Sequence, residues 1–306
     1  MVTITDKIFH DEAAAVAHLE ASRWSDGVAC PFCGADNVHR MGGKTQAGMF
    51  LCNGCREKFT ARVGTVMERS HIPIHKWLLA MHLMAASKKG VSAKQIERTL
   101  GVSYKTAWFL MHRIREAMTA ATVKEAGPLG GKGKIVESDE TFVGGKAKNV
   151  HNGKPIPPKS PVVALVERGG QLRAKHVADV TAKTVREVLV TQVSRKSELN
   201  TDDSLVYYWV GREFAKHRSV NHSKDEYVGK EGQTVNTAES FFALLKRGIM
   251  GSFHSVSEQH LQRYVTEFEF RWNNRVALEI DDTMRAAAIL KGAEGKRLTY
   301  RRTNGA

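Results

Sequence analysis

Four cysteines, the only ones in the chain, constrain it most: Cys30, Cys33, Cys52 and Cys55, spaced Cys-x2-Cys-x18-Cys-x2-Cys. Each Cys-x-x-Cys knuckle turns sharply enough to bring two thiolates onto one tetrahedral ion, and Gly34 and Gly54 permit the turns. A redox pair and four unrelated cysteines are the competing readings. Two matched knuckles that use every cysteine favour one structural Zn²⁺. Four thiolates leave no open position, so that ion does no chemistry. Residues 38–41 and 49–51 read as the strands of a small ribbon within a module at 26–65. Arg40, Lys44, Arg56, Lys58 and Arg62 make the module basic.

The flanking segments have helical spacing. An N-terminal helix within 1–25 carries Ile8, Phe9, Ala13, Val16, Ala17 and Leu19 toward whatever follows. Residues 74–118 hold an apolar helix (Trp77, Leu78, Met81, Leu83, Met84) and then two shorter ones. Ser92 caps the first of these, with Ile96 and Leu100 inward and Gly101 closing it. Ser103 caps the second, with Ala107, Leu110, Met111 and Ile114 inward. Tyr104, Lys105, Thr106, His112, Arg113 and Arg115 are expected on the outer face. A helix, a Gly-containing turn and a second helix, over 70–122, form a helix-turn-helix pattern that any two short helices can imitate.

Charge adds weight to a nucleic-acid reading. The 306 residues include 46 basic and 32 acidic ones, a net charge of +14, which suits a polyanion. The first residues of the second helix, Tyr104, Lys105 and Thr106, would then meet base edges, with Lys105 and Arg113 as phosphate or base contacts. An anionic membrane surface is the rival partner. No apolar run approaches the roughly 18–20 residues of a span, and the N-terminus lacks a signal-peptide core, so the expectation is a cytoplasmic protein. Residues 123–134 are Gly-rich and read as a linker.

From Ile135 the period changes to two. Glu137 and Asp139 alternate with Ser138 and Glu140 in one predicted strand, and acidic residues in mid-strand are disfavoured by propensity. That conflict needs a reason. The loop 144–161, with Lys146, Lys148, Lys154 and Lys159, reads as solvated or as a DNA contact. A hairpin turning at Gly169-Gly170, a helix over 181–194 and a strand ending at Asp202-Asp203 follow. Then come a helix through Tyr207 and Phe214, a strand at 218–223, a helix over 235–248 and a last one over 257–273. This order makes an α/β layer of RNase H-like type. In it the first strand, the end of the fourth strand and a late helix converge on one sheet edge. Those places hold Asp139, Asp202 (or Asp203) and Glu239.

Three converging carboxylates repel one another unless divalent cations sit among them, and all-oxygen donors suit Mg²⁺ or Mn²⁺. Two such ions about 4 Å apart could stabilise both the attacking and the leaving oxygen of a phosphodiester displacement. Taken singly, Asp139 could be a salt-bridge partner and Asp202 a turn residue. Glu239 could complete a capping box with Asn236. Glu239, Phe242, Ala243 and Lys246 also share a helical stripe, which by itself could merely brace a surface helix.

The motifs together resemble a known family. CPFC…CNGC at 30–55, ESDETFVGGK at 137–146, NTD at 200–202, VNHS at 220–223 and the stretch 236–275 look like a DDE transposase of bacterial insertion sequences with an N-terminal zinc ribbon and helix-turn-helix. The likeness covers about 8–278. It implies an RNase H-like catalytic domain at 135–278 and a metal triad of Asp139, Asp202 and Glu239. It also implies Lys246 as the basic partner beside the DNA terminus. Arg247, Lys146 and Lys148 join the expected DNA contacts, and Glu140 and Asp203 are not carried over. The expected activity is cleavage at inverted-repeat ends and transfer of the 3′-OH to target DNA, by at least a dimer on double-stranded DNA. Two rivals stand beside it. One is a DNA-binding regulator with an inactive catalytic domain, in which the acids are dispensable. The other is an RNase H-type nuclease that only hydrolyses; the DNA-reading half argues against it. Residues 279–306, with Arg285, Lys291, Lys296, Arg297, Arg301 and Arg302, read as a basic tail, solvated or in nonspecific contact with DNA.

Overall fold

The computed structural model describes residues 3–43, 48–120, 123–144, 159–221, 228–229 and 232–299. The chain divides into two compact units, Met1–Thr119 with Asn274–Ala306, and Ala120–Asn273.

In the first unit, Asp11 caps α1 (Glu12–Arg23) by accepting from the Ala14 amide at 2.7 Å. Strands β1 (Val38–Arg40), β2 (Phe50–Cys52) and β3 (Lys58–Phe59) form an antiparallel sheet in that order. Its core is small: Phe50 and Phe59 stack, and Trp24 meets both edge-on. So few apolar residues need a staple. Helices α2 (Ile74–Ala86), α3 (Ala93–Leu100) and α4 (Tyr104–Ala117) follow. Ser92 Oγ accepts from the Gln95 amide and Ser103 Oγ from the Thr106 amide, while Gly101 ends α3 in the left-handed region at φ 61°. These caps lie where the sequence puts them.

Two expectations fail in this unit. His112, Arg113 and Arg115 are buried, because α4 is packed by α2, α3 and the C-terminal helix instead of lying open on one side. Arg113, expected on DNA, is 7% exposed. Its Nη2 donates to the Glu68 carbonyl at 2.6 Å, and its guanidinium lies over the Trp77 and Phe109 rings. Nor is 279–306 simply a solvated tail. It contains a helix, Asp282–Lys291, whose Ile289 and Leu290, with Ala293 just beyond, are buried. Arg285 donates to the carbonyls of Ala85, Asn274 and Ile280 at 3.1, 3.0 and 2.9 Å. A count of charges hides this apolar face. Arg301 and Arg302 lie outside the described residues.

The second unit takes in the whole of the supposed linker. After the short helix α5 (Val123–Ala126), Leu129 is buried in the core and exchanges backbone hydrogen bonds with Gln192 and Ser194, each 2.8 Å. Gly130, at φ 79°, passes so close to Ser197 that a Cβ would lie 2.1 Å from its Oγ. These glycines therefore serve close packing as well as flexibility.

Five strands follow: β4 (Ile135–Val143), β5 (Ser160–Glu167), β6 (Leu172–His176), β7 (Glu198–Asp202) and β8 (Lys216–Val220), in sheet order β6-β5-β4-β7-β8. The pairs β4–β5 and β5–β6 are antiparallel; β7 and β8 run parallel to β4. Helix α6 (Ala182–Gln192) covers one face through Val185, Val188 and Leu189. Helices α7 (Asn236–Gly248) and α8 (Glu258–Asn273) cover the other through Phe241, Leu245 and Phe268. Burial on both faces explains the unbroken apolar run of β5, residues 162–166. The helix expected through Tyr207 and Phe214 is instead two 3-10 turns, Leu205–Tyr207 and Val210–Glu213. Gly211 there approaches His217 of β8 too closely for any side chain. Among the described residues, no helix is long and apolar enough to cross a membrane.

Candidate active site

The carboxylates are brought together by strand register. In the parallel ladder, Glu137 pairs with Asn200. Two residues further along each strand stand Asp139 and Asp202, and with a side-chain period of two all four project toward α7. Residues of the opposite parity, Val136 and Leu199, enter the core under α6. Asp139 Oδ1 accepts from the Glu140 amide at 2.8 Å, and Asp202 Oδ1 accepts from the Ser204 amide at 3.1 Å. Burial pushes the Asp139 carboxyl up to about 7, against the pull of the Glu140 amide. The charges of Glu140, Asp202 and Glu239 push it in the same direction. Three elements thus deliver negative charge to one place. Asp203 is exposed.

Two acids that sequence reading left aside have partners of their own. Glu140, of opposite parity, accepts from the buried Tyr207 hydroxyl at 2.6 Å. Burial holds Tyr207 well above the usual phenol range, and Glu140 holds it there too, so it remains a donor. Glu137 is fully buried and caps α7 from across the sheet. Its Oε2 accepts from the amides of Thr237 and Ala238 at 2.9 and 3.3 Å, and its Oε1 from Thr237 Oγ1 at 3.0 Å. Arg168 Nη2 and Nε close on Oε1 at 3.0 and 3.2 Å. The unease over acids in mid-strand was the signal that could have found both residues.

This corrects the reading of α7 itself. Val235, which has no side-chain acceptor, is the N-cap; Asn236 is the first helical residue, and its amide donates to Thr234 Oγ1. The Asn236–Glu239 capping box therefore does not form with Asn236 as the cap. Glu239 and Lys246 are exposed, while Phe242 between them is buried beside Ala238, Phe241 and Leu245. The expected stripe is thus the margin of an apolar face.

An all-oxygen set of carboxylates fits a hard divalent cation better than any other partner. Asn200, on the rung of Glu137, is 1% exposed and its side-chain amide has no hydrogen-bond partner among the described residues. An orphaned amide beside the carboxylates fits a site completed by hydrated ions.

The cysteine site is explicit. The four Sγ atoms lie within 4.8 Å of one another, with Cys30–Cys55 and Cys33–Cys52 each at 3.6 Å. Tetrahedral Zn–S bonds of about 2.3 Å require sulfurs about 3.8 Å apart, so the four cysteines are positioned to bind a zinc ion. The Cys55 amide donates to Cys52 Sγ at 3.5 Å and draws that thiol down, while the neighbouring thiols push Cys55 up, so the first proton of the cluster leaves from Cys52.

Of the expected DNA contacts, Tyr104 and Lys105 are exposed at the start of α4, and Thr106 is half-buried with its hydroxyl on Ser103. Lys246 and Arg247 are exposed near the end of α7. Lys146 and Lys148 lie outside the described residues.

Comparison with known proteins follows the same division. A family model described as the transposase zinc-ribbon domain matches residues 10–58, and one described as the ISXO2-like transposase domain matches 128–273. The chain is a transposase of the insertion-sequence kind. An uncharacterized protein in transposable element ISH50 of Halobacterium salinarum is 30% identical over 283 residues, 87% of this chain and 92% of that one. The chain belongs to the IS1595 family of insertion-sequence transposases; its motifs led us to expect the broader class, an insertion-sequence transposase with an N-terminal zinc ribbon. Among solved structures, the Mos1 transposase paired-end complex with left transposon end is 14% identical, covering 66% of this chain and 78% of that chain. Its TM-score of 0.21 is too low to inform the fold.

Proposed function

We propose that Asp139, Asp202 and Glu239 form a divalent-cation site that cuts DNA at the ends of the mobile element and joins the freed 3′-OH to target DNA. The observation that carries this reading is the register that sets Asp139 and Asp202 on neighbouring parallel strands facing α7, the helix of Glu239; burial and the charges around it push the Asp139 carboxyl up to about 7. Such a cluster pays electrostatically in a folded protein unless cations offset it.

Asp139, Asp202 and Glu239 would hold Mg²⁺ or Mn²⁺, two per site. When bound, the ions supply charge stabilisation to the attacking and leaving oxygens of an in-line phosphodiester displacement. The residues of the chain do the rest. The sheet fixes Asp139 and Asp202 in register, α7 brings Glu239 to them, and Lys246, farther along the same helix, steadies terminal phosphates as a point charge. Water first and then the 3′-OH serve as nucleophile, with no covalent protein–DNA intermediate. The strand order β6-β5-β4-β7-β8 supports an RNase H-like assignment for this unit. The capped pair α3–α4, with Tyr104 and Lys105 exposed at the leading end of α4, supports a helix-turn-helix that reads the inverted repeats. Two ends must be processed, so at least two copies assemble on DNA.

The test is Mg²⁺-dependent strand transfer on DNA carrying the element's ends, with Asp139→Asn alongside. Joined products are expected from the native protein and none from the variant. Hydrolysis without joining would favour a nuclease. End binding with no chemistry, indifferent to the acids, would favour a regulator.

A further inference from the structure

The bonds that converge on Glu137 do more than close a helix end. We infer that Glu137 is a positioning residue that sets the separation of Glu239 from Asp139, and so the affinity of the site for divalent cations. The inference rests on the reading of Asp139, Asp202 and Glu239 as that cation site.

Glu137 sits on β4 two residues before Asp139, on the same face of the sheet. Its carboxylate binds the amides of Thr237 and Ala238, the two residues that immediately precede Glu239. Strand-borne Asp139 and helix-borne Glu239 are therefore joined by a short path that leaves the backbone only at the Glu137 side chain. Both oxygens are fully engaged: Oε1 by Arg168 and Thr237 Oγ1, Oε2 by the two amides. Arg168 also anchors to the strand, its amide donating to the Ile135 carbonyl at 2.9 Å. A fully buried carboxylate is a costly way to stabilise a fold, since apolar residues of similar volume often do as well. Its distinctive yield is geometric, because three directional bonds from Thr237 and Ala238 fix the helix end on a carboxylate that two bonds from Arg168 hold in place. Thr234 Oγ1 takes the Asn236 amide, and with Val235 at the N-cap no capping side chain of the helix itself takes those of Thr237 and Ala238. Partners that orient ligands in this way commonly decide metal affinity.

The test uses full-length, zinc-loaded protein without DNA, well below its melting temperature, with Mn²⁺ binding followed by electron paramagnetic resonance of the free ion. Glu137→Gln keeps the length and one acceptor but loses the charge, and is expected to weaken Mn²⁺ binding about 10- to 100-fold. Thr237→Val removes only the hydroxyl donor and is expected to weaken it about threefold. In strand transfer, the Mn²⁺ concentration for half-maximal rate should rise in parallel, with the rate at saturating Mn²⁺ largely restored. Unchanged Mn²⁺ affinity in both variants, with melting temperature alone lowered, overturns the inference. Should Glu137→Gln fail to fold, Thr237→Val decides by itself. Asp139→Asn separates the two levels. If it binds Mn²⁺ like the native protein, the carboxylate reading fails. If it does not bind, while the other two variants bind normally, only the positioning role fails.

Discussion

Replacing Asp139 by Asn should make the protein more stable when Mg²⁺ and Mn²⁺ are absent. Burial, and then the charges of Glu140, Asp202 and Glu239, lift this carboxyl from 3.8 to about 7. At about 1.4 kcal/mol per pH unit, that shift makes the ionised folded state unfavourable by at most ~4 kcal/mol. Asp139 is only partly enclosed, so solvent screening brings the expected effect to ~1–3 kcal/mol. A folded carboxyl that holds its proton more tightly than the unfolded one makes the folded state bind more protons between 3.8 and about 7. Stability therefore falls as pH rises through that window, and the loss is complete above it. Asn removes the charge and keeps the acceptor for the Glu140 amide. Urea unfolding near pH 8, in buffer containing zinc but no other divalent ion, should show the variant ahead by ~1–3 kcal/mol, and by about half as much near pH 5.5. Adding Mn²⁺ should stabilise the native protein and leave the variant nearly unchanged. A variant less stable than the native protein near pH 8, or a gain independent of pH, would refute the reasoning.

Two further outcomes follow from the first unit. Metal analysis should find about one tightly bound zinc per chain, and Cys52→Ser should lose it together with the packing of Trp24 on Phe50 and Phe59, read by tryptophan fluorescence. Arg113→Met should cost about 1–3 kcal/mol in unfolding, because the Glu68 carbonyl loses a charged donor. The salt dependence of its DNA binding should remain native; a slope reduced by about one would mean that Arg113 does touch phosphate.

Local chemistry was legible wherever a few consecutive residues carry it. Gly34 and the four thiols, the Ser92 and Ser103 caps, the left-handed Gly101 and, from Ile135 onward, the order of the strands and of the helices α6, α7 and α8 all rest on short-range rules. They stand in the structure nearly where the residues put them. What could not be read is which polar residues the packing encloses. Arg113 and Arg285 look like phosphate contacts in a chain of charge +14, yet they donate to carbonyls contributed by distant segments. Leu129 reads as linker and is core.

The α7 N-terminus divides the two kinds of knowledge most sharply. The sequence alone determined that a helix begins near Asn236 and carries Glu239 and Lys246 along one side, because helical period is a local property. Its cap was beyond sequence, since the acceptor, Glu137, stands about a hundred residues upstream on another element. Only the tertiary structure, by setting β4 beside β7 and α7 across both, decided which of the strand's three acids faces its neighbours' charge and which one holds the helix.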